Sequence, residues 1–110
     1  MEITTRTYRN MRGQLVVETR IPLDGNRRLE IDTSKNSSGY VTTHAWVFHL
    51  KEDGAKVHAL FQDYSKCFAK VKIRATEKAL EAQHKTATDQ IDAILADVER
   101  HYTNQPALLA

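Results

Sequence analysis

The chain has 110 residues, 41% of them hydrophobic, and a formal net charge of +2 at pH 7. That length suits one domain with a modest core, and the net charge alone is too small to indicate a nucleic-acid ligand. The single cysteine, Cys67, excludes an internal disulfide and a cysteine-cluster metal site, and favours a reducing cytoplasm. We expect no membrane span, because no apolar run approaches the required length.

The charge is unevenly distributed along the chain. Residues 1–85 carry 15 Lys and Arg against 10 Asp and Glu, whereas residues 86–110 carry one Arg against four acids. A basic body followed by an acidic end favours an anionic partner more than the total charge does.

The first sixty residues alternate with the period of a β-strand. In QLVVETRIPL, the side chains of Val17, Thr19 and Ile21 share one face. The turn DGN (24–26) places Ile21 opposite Leu29, with Asn26 in the left-handed region. A preceding strand at about residues 2–9 joins through the turn MRG (11–13).

A second hairpin is predicted from YVTTHAWVFHL and the Asp53-Gly54 pair, because Asp-Gly between alternating apolar residues typically forms a two-residue turn. Its larger apolar side chains are expected on the core face: Trp46, Phe48, Leu50, Val57, Ala59 and Phe61. Four basic side chains then project from the opposite face: His49, Lys51, Lys56 and His58. In this register Lys51 faces Lys56 and His49 faces His58.

Residues 66–103 contain no Gly or Pro and many Ala, which predicts a long C-terminal helix. Such a helix would be about 57 Å long, whereas a strand of eight residues spans about 26 Å. The helix therefore either bends near residues 83–88 or packs its second half on another chain. An apolar stripe with helix-pair spacing favours a homodimer through this helix: Leu80, His84, Ala87, Ile91, Ile94, Val98 and His101.

Basic side chains are the candidate binding residues. Those predicted on the outer sheet face are Arg20, Arg28, His49, Lys51, Lys56 and His58. Those spaced four apart on the predicted helix are Lys66, Lys70, Arg74 and Lys78. Both groups could contact phosphates, although lysines on a solvated face or guarding an edge strand are also common for solubility alone.

Other chemistry is weakly supported. The facing pair His49 and His58 lacks further metal ligands and has lysine neighbours, so no metal site is predicted. No catalytic or cofactor motif is present, which indicates a protein that is not an enzyme and needs no cofactor. Trp46 and Phe48 are assigned to the core and therefore not to base stacking, and Cys67 is expected to be buried at the helix start.

Together these patterns predict an α+β fold, with an antiparallel β-meander of four to five strands followed by a long, possibly bent helix on one sheet face. One domain would cover residues 1–104, with the sheet at about 2–62, the helix at about 66–103 and a flexible tail at 105–110. The predicted function is non-enzymatic contact with nucleic-acid phosphates. The alternative is an adaptor or inhibitor that docks on an acidic protein surface.

Overall fold

The computed structural model describes residues 2–54 and 56–103. Five strands are followed by two helices: β1 (Thr4–Arg9), β2 (Leu15–Leu23), β3 (Arg27–Lys35), β4 (Val41–Asp53), β5 (Lys56–Val71), α1 (Glu77–Thr88) and α2 (Ile91–Thr103). The strands form one antiparallel sheet in chain order, and both helices pack on the same face of it. The predicted α+β class and β-meander are confirmed. The predicted single helix is wrong, because there are two.

The register of the first three strands is the predicted one. Ile21 lies opposite Leu29, and Asn26 adopts a φ of 55° in the turn between them. Gly13 has a φ of 75° at the end of the β1–β2 turn, a conformation that costs glycine little. The hydrophobic alternation and the turn residues predict the same register here, and the observed strands have that register.

The core face of β4 is the reverse of the predicted one. Val41, Thr43, Ala45 and Val47 are buried beneath the helices, whereas Trp46 and Phe48 lie half-buried on the other face. The β3–β4 register places Ala45 opposite Ile31, which is itself in the core. Small Thr43 and Ala45 on the core face and the large aromatic side chains on the outer face are the reverse of what side-chain volume alone predicts.

Strand β5 contains three extra residues relative to β4. The register shifts by one residue at Leu60, Asp63 and Phe68, each of which is unpaired between neighbours that do pair. Such β-bulges change the phase of the side chains along the strand. The first mismatch, Leu50 opposite Ala59 and not Val57, comes from the later turn, and the bulges then shift the partners of β4 further.

The C-terminal third begins as a strand and not as a helix. β5 continues to Val71, so the predicted boundary of the sheet near residue 62 and the helix start at residue 66 are wrong. Helix α1 begins after Thr76, whose Oγ1 accepts a hydrogen bond from the Ala79 amide at 3.1 Å. This is a typical N-cap.

Helix α1 ends at Thr88 and α2 begins at Ile91, so the helix is interrupted at residues 89–90, just beyond the predicted bend at residues 83–88. Each helix can therefore lie on the sheet of its own chain. Leu80, His84, Ile94 and Val98 are all buried there. The stripe expected to form a dimer seam is core, so it no longer supports a homodimer, which stays a prediction.

His84 is the one buried histidine among the described residues. Its ring nitrogens lie 2.7 Å from Thr19 Oγ1 and 2.9 Å from Thr33 Oγ1, so both are satisfied within the core. Burial lowers the pKa of His84 to about 4, because the interior disfavours the charged imidazolium.

Neither described helix is long and apolar enough to cross a bilayer. The predicted flexible tail, residues 105–110, lies outside the described residues.

Candidate functional site

The outer face of β1–β3 is a network of ion pairs and not a free cationic surface. Arg6 Nε donates to Glu18 Oε1 at 3.0 Å. Arg20 Nε lies 2.8 Å from Glu18 Oε1 and 3.1 Å from Glu30 Oε1, and Arg28 pairs with Glu30 at 2.8 Å. Two of the predicted phosphate-binding residues, Arg20 and Arg28, are thus already neutralised by buried carboxylates.

Asp32 completes this network without a cation of its own. It lies across the strands from Glu18 and His44, and its buried Oδ1 has no hydrogen-bond partner in the part of the chain that the structure describes. Burial, and then repulsion from Glu18 and Glu30, raises the pKa of Asp32 to about 7. The carboxyl is therefore partly protonated near neutral pH.

The three carboxylates do not fit a metal ion well. One oxygen from each of Glu18, Glu30 and Asp32 lies within 4.8 Å of the others. However, arginine side chains already lie at 2.8–3.1 Å from two of them, and a cation would have to displace these guanidinium groups. The chemistry of the cluster is that of a charge-balanced sheet face.

The outer face also carries the aromatic side chains that the sequence assigned to the core. The rings of His44 and Trp46 stack at 4.4 Å, and His44 Nε2 lies 2.7 Å from Ser65 Oγ. Arg6 lies over the ring of Tyr8 at 4.3 Å. Trp46 lies on the outer face because the β3–β4 register places it opposite Glu30. Opposed residues of neighbouring strands share a face, so the side that Glu30 occupies was the available signal.

The tip of the β4–β5 hairpin differs from the predicted arrangement of four facing basic residues. In the observed β4–β5 register, Lys51 lies opposite His58 and Lys56 lies opposite Asp53. Lys51 and Lys56 are therefore not directly opposite each other, and His58 does not face His49. The turn lies one residue later than expected, between Asp53 and Lys56, with Gly54 at a φ of 62°.

His49 lies on the helix side of the sheet. Its ring stacks on Phe61 at 4.3 Å, and its Nε2 lies 2.9 Å from Asp63 Oδ1. Tyr102 of α2 donates to the same oxygen at 2.5 Å. These contacts attach the base of the hairpin to the C-terminal helix, which is a structural role.

The predicted helical row of cations is divided among three elements. Lys66 and Lys70 are on β5, Arg74 is in the connection that follows, and Lys78 is on α1. Lys66 pairs with Asp97 at 3.2 Å, and Lys70 lies over the ring of Tyr40 at 4.6 Å. Cys67, expected to be buried, is exposed on β5.

Exposed cations instead converge at one end of the sheet, where the β1–β2, β3–β4 and β5–α1 connections meet. We call this surface the cationic end, and its residues are Arg9, Arg12, Lys35, Lys70, Lys72, Arg74 and Lys78. A cavity of about 240 Å³ there is lined by Arg9 and Lys35 together with Ala75 and Leu80. Sequence spacing found Lys70, Arg74 and Lys78 but missed the others, since tertiary structure brings them together.

Few ionic contacts are made by the cations of this end. Within the described residues, none of the seven forms a salt bridge, and neither do Arg27, Lys51 and Lys56, whereas Arg6, Arg20, Arg28, Lys66, Lys85 and Arg100 all do. Glu77 and Glu81 are the acids of α1, the helix that carries Lys78. Most of the described cations without a salt bridge therefore belong to this end.

The fold and site together define an α+β protein with a five-stranded meander, two helices on one face and a cationic end. Comparison with known protein families, with curated proteins and with solved structures finds no match.

Proposed function

We propose that this chain is a non-enzymatic binding protein whose cationic end contacts nucleic-acid phosphates. The observation that carries the proposal is that strand ends, connections and the start of α1 bring seven exposed cations, which form no salt bridge within the described residues, to one end of the sheet. Cations held close together without counter-charges repel one another, and a polyanion relieves that repulsion while releasing its own counterions.

The binding would read the backbone of the nucleic acid and not its sequence. Lysine and arginine contacts to phosphate position a protein without specifying bases. With about five phosphates neutralised, the logarithm of the association constant should fall with the logarithm of salt concentration at a slope of about −4 to −5 on duplex DNA.

The test is a fluorescence-anisotropy titration of labelled duplex DNA, single-stranded DNA and RNA at low and moderate salt. The double variant Lys72→Glu/Arg74→Glu should weaken binding at least tenfold and flatten the salt slope. The double variant Lys51→Glu/Lys56→Glu is the matched control, since it changes the charge equally at the hairpin tip. No binding at low salt, or a larger loss in the control, would refute the proposal.

A second candidate is a protein-interaction module, favoured by the projecting end of the β4–β5 hairpin. Val57, Leu60 and Phe61 are 53%, 59% and 55% exposed, and Lys51 and Lys56 belong to the same two-stranded ribbon. Apolar side chains exposed together often mark a contact surface, and the lysines would suit an acidic partner.

A pull-down after nuclease treatment separates the two candidates. A partner retained by the wild type and lost with Leu60→Ser favours the hairpin as an interaction surface. Retention that depends on intact nucleic acid, and on Lys72 and Arg74, favours the first candidate.

A further inference from the structure

A second recess lies away from the cationic end, in the cleft between β5 and the two helices. It has a volume of about 420 Å³, which falls in the range of small-molecule sites. Its apolar walls are formed by Phe68, Ala69, Val71, Ala87, Ala93 and Ile94. Ile94 belongs to the core, and Phe68 packs against the same core cluster, so the apolar floor of the cleft is continuous with the protein interior.

The cleft is open because its walls carry small side chains. Ala69 of β5, Ala87 of α1 and Ala93 of α2 all border it, and a larger residue at any of them would project into the space. β5 is an edge strand of the sheet, so among the described strands none covers the outer side of the cleft. Apolar surface of this kind is stabilised when a ligand removes it from water.

One end of the cleft carries a net positive charge. Asp97 Oδ2 accepts from Tyr64 Oη at 2.6 Å and from Lys66 Nζ at 3.2 Å, and Asp97 Oδ1 accepts from Arg100 at 2.9 Å. The hydrogen bond from Tyr64, followed by that from Arg100, lowers the pKa of Asp97 to about 2, so this carboxylate stays ionised. Two cations therefore surround one anion, and each keeps N–H groups to donate to a second acceptor.

We propose that this cleft binds a small amphipathic monoanion, an apolar chain or ring that carries one carboxylate. The apolar part lies between β5 and the helices, and the carboxylate lies beside Lys66 and Arg100. The net positive charge of Lys66, Arg100 and Asp97 at one end, and the apolar walls beyond it, favour this class over neutral or cationic ligands. The inference is independent of phosphate binding at the cationic end.

The probes are octanoate, decanoate, dodecanoate and the neutral decanol, titrated below their aggregation concentrations by ¹⁵N–¹H NMR and calorimetry. Each added CH₂ should tighten binding about fourfold until the cleft is full, since burial of one CH₂ contributes about 0.8 kcal/mol. Decanoate should bind at least fivefold tighter than decanol, because the head group gains charge-assisted hydrogen bonds.

Two pairs of variants locate the site. Ala93→Leu fills the cleft and should weaken decanoate at least tenfold, whereas Ala96→Leu, at an exposed position of α2 outside the lining, should not. Lys66→Gln should weaken decanoate but not decanol, and Lys85→Gln, on an exposed ion pair of α1, should change neither. Far-UV circular dichroism and a urea midpoint verify folding.

Three results would overturn the proposal. They are the absence of decanoate binding at millimolar concentration, equal affinities for decanoate and decanol, and equal effects of Ala93→Leu and Ala96→Leu in folded protein. Loss of DNA binding in the cationic-end variant, with decanoate affinity retained, would show that the two sites are separate.

Discussion

Replacing Asp32 by Asn should change how the stability of this protein depends on pH. In the folded protein the pKa of Asp32 is raised to about 7 and that of His84 is lowered to about 4. Between about pH 4 and 6.5 the folded state therefore holds a proton on Asp32 that the unfolded state lacks. Over the same range the unfolded state holds a proton on His84 that the folded state lacks.

The two effects have opposite signs. Folded Asp32 makes the free energy of unfolding fall as pH rises, and His84 makes it rise, each by about 1.4 kcal/mol per pH unit where the full proton is exchanged. The wild-type profile should therefore be nearly flat from pH 4.5 to 6. It should then fall towards pH 8 as Asp32 ionises beside Glu18 and Glu30.

Asp32→Asn removes one of these effects and leaves the other. Its free energy of unfolding should rise by about 1 kcal/mol per pH unit from pH 4.5 to 6, after allowance for solvent screening. His44, whose pKa is also lowered by burial, contributes with the same sign as His84. At pH 8 the variant should be about 1–3 kcal/mol more stable than the wild type, because the buried repulsion is gone.

The assay is urea unfolding at four pH values, followed by the fluorescence of Trp46, the only tryptophan. Asp24→Asn is the control, since Asp24 is exposed in the β2–β3 turn. If the wild-type and Asp32→Asn profiles run parallel, Asp32 carries no shifted proton and the reasoning about the outer face is wrong.

Three stability changes test the packing by urea unfolding. Thr76→Ala removes the α1 N-cap and should cost about 1 kcal/mol, so an unchanged midpoint would contradict that cap. Leu29→Ala, at a fully buried site, should cost about 2–5 kcal/mol. Ala45→Leu should cost about 1–3 kcal/mol by overpacking against the helices, and a stabilising effect would mean that the core face of β4 is misassigned.

The β2–β3 hairpin could be predicted from sequence because two local signals agreed. Its alternation and its Asp-Gly-Asn turn specify the same register, and Ile21 does lie opposite Leu29. The face of β4 could not be predicted from its own residues, since Trp46 and Phe48 are the bulkier choice for a core. Their exposure follows from pairing with β3, which is non-local information.

The segment after Asp63 was assigned to a helix for a similar reason. Residues 66–71 lack Gly and Pro, which suits a helix, but pairing with β4 makes them a strand. Helix α1 then begins only after Thr76. This difference changes the candidate site. Lys70 at the end of β5 and Arg74 in the β5–α1 connection lie at the end of the sheet that also carries Arg9 and Lys35.

The distal part of the β4–β5 hairpin has a consequence for local stability. Among the described residues, no third strand flanks it beyond the pairing of Arg27 with His49. A ribbon of two strands is only marginally stable in water. Its amide protons should exchange with deuterium through opening events that leave the other strands intact. A macromolecule that binds this ribbon would have to suppress those openings. The free-energy cost of ordering the ribbon would therefore lower the net affinity of binding.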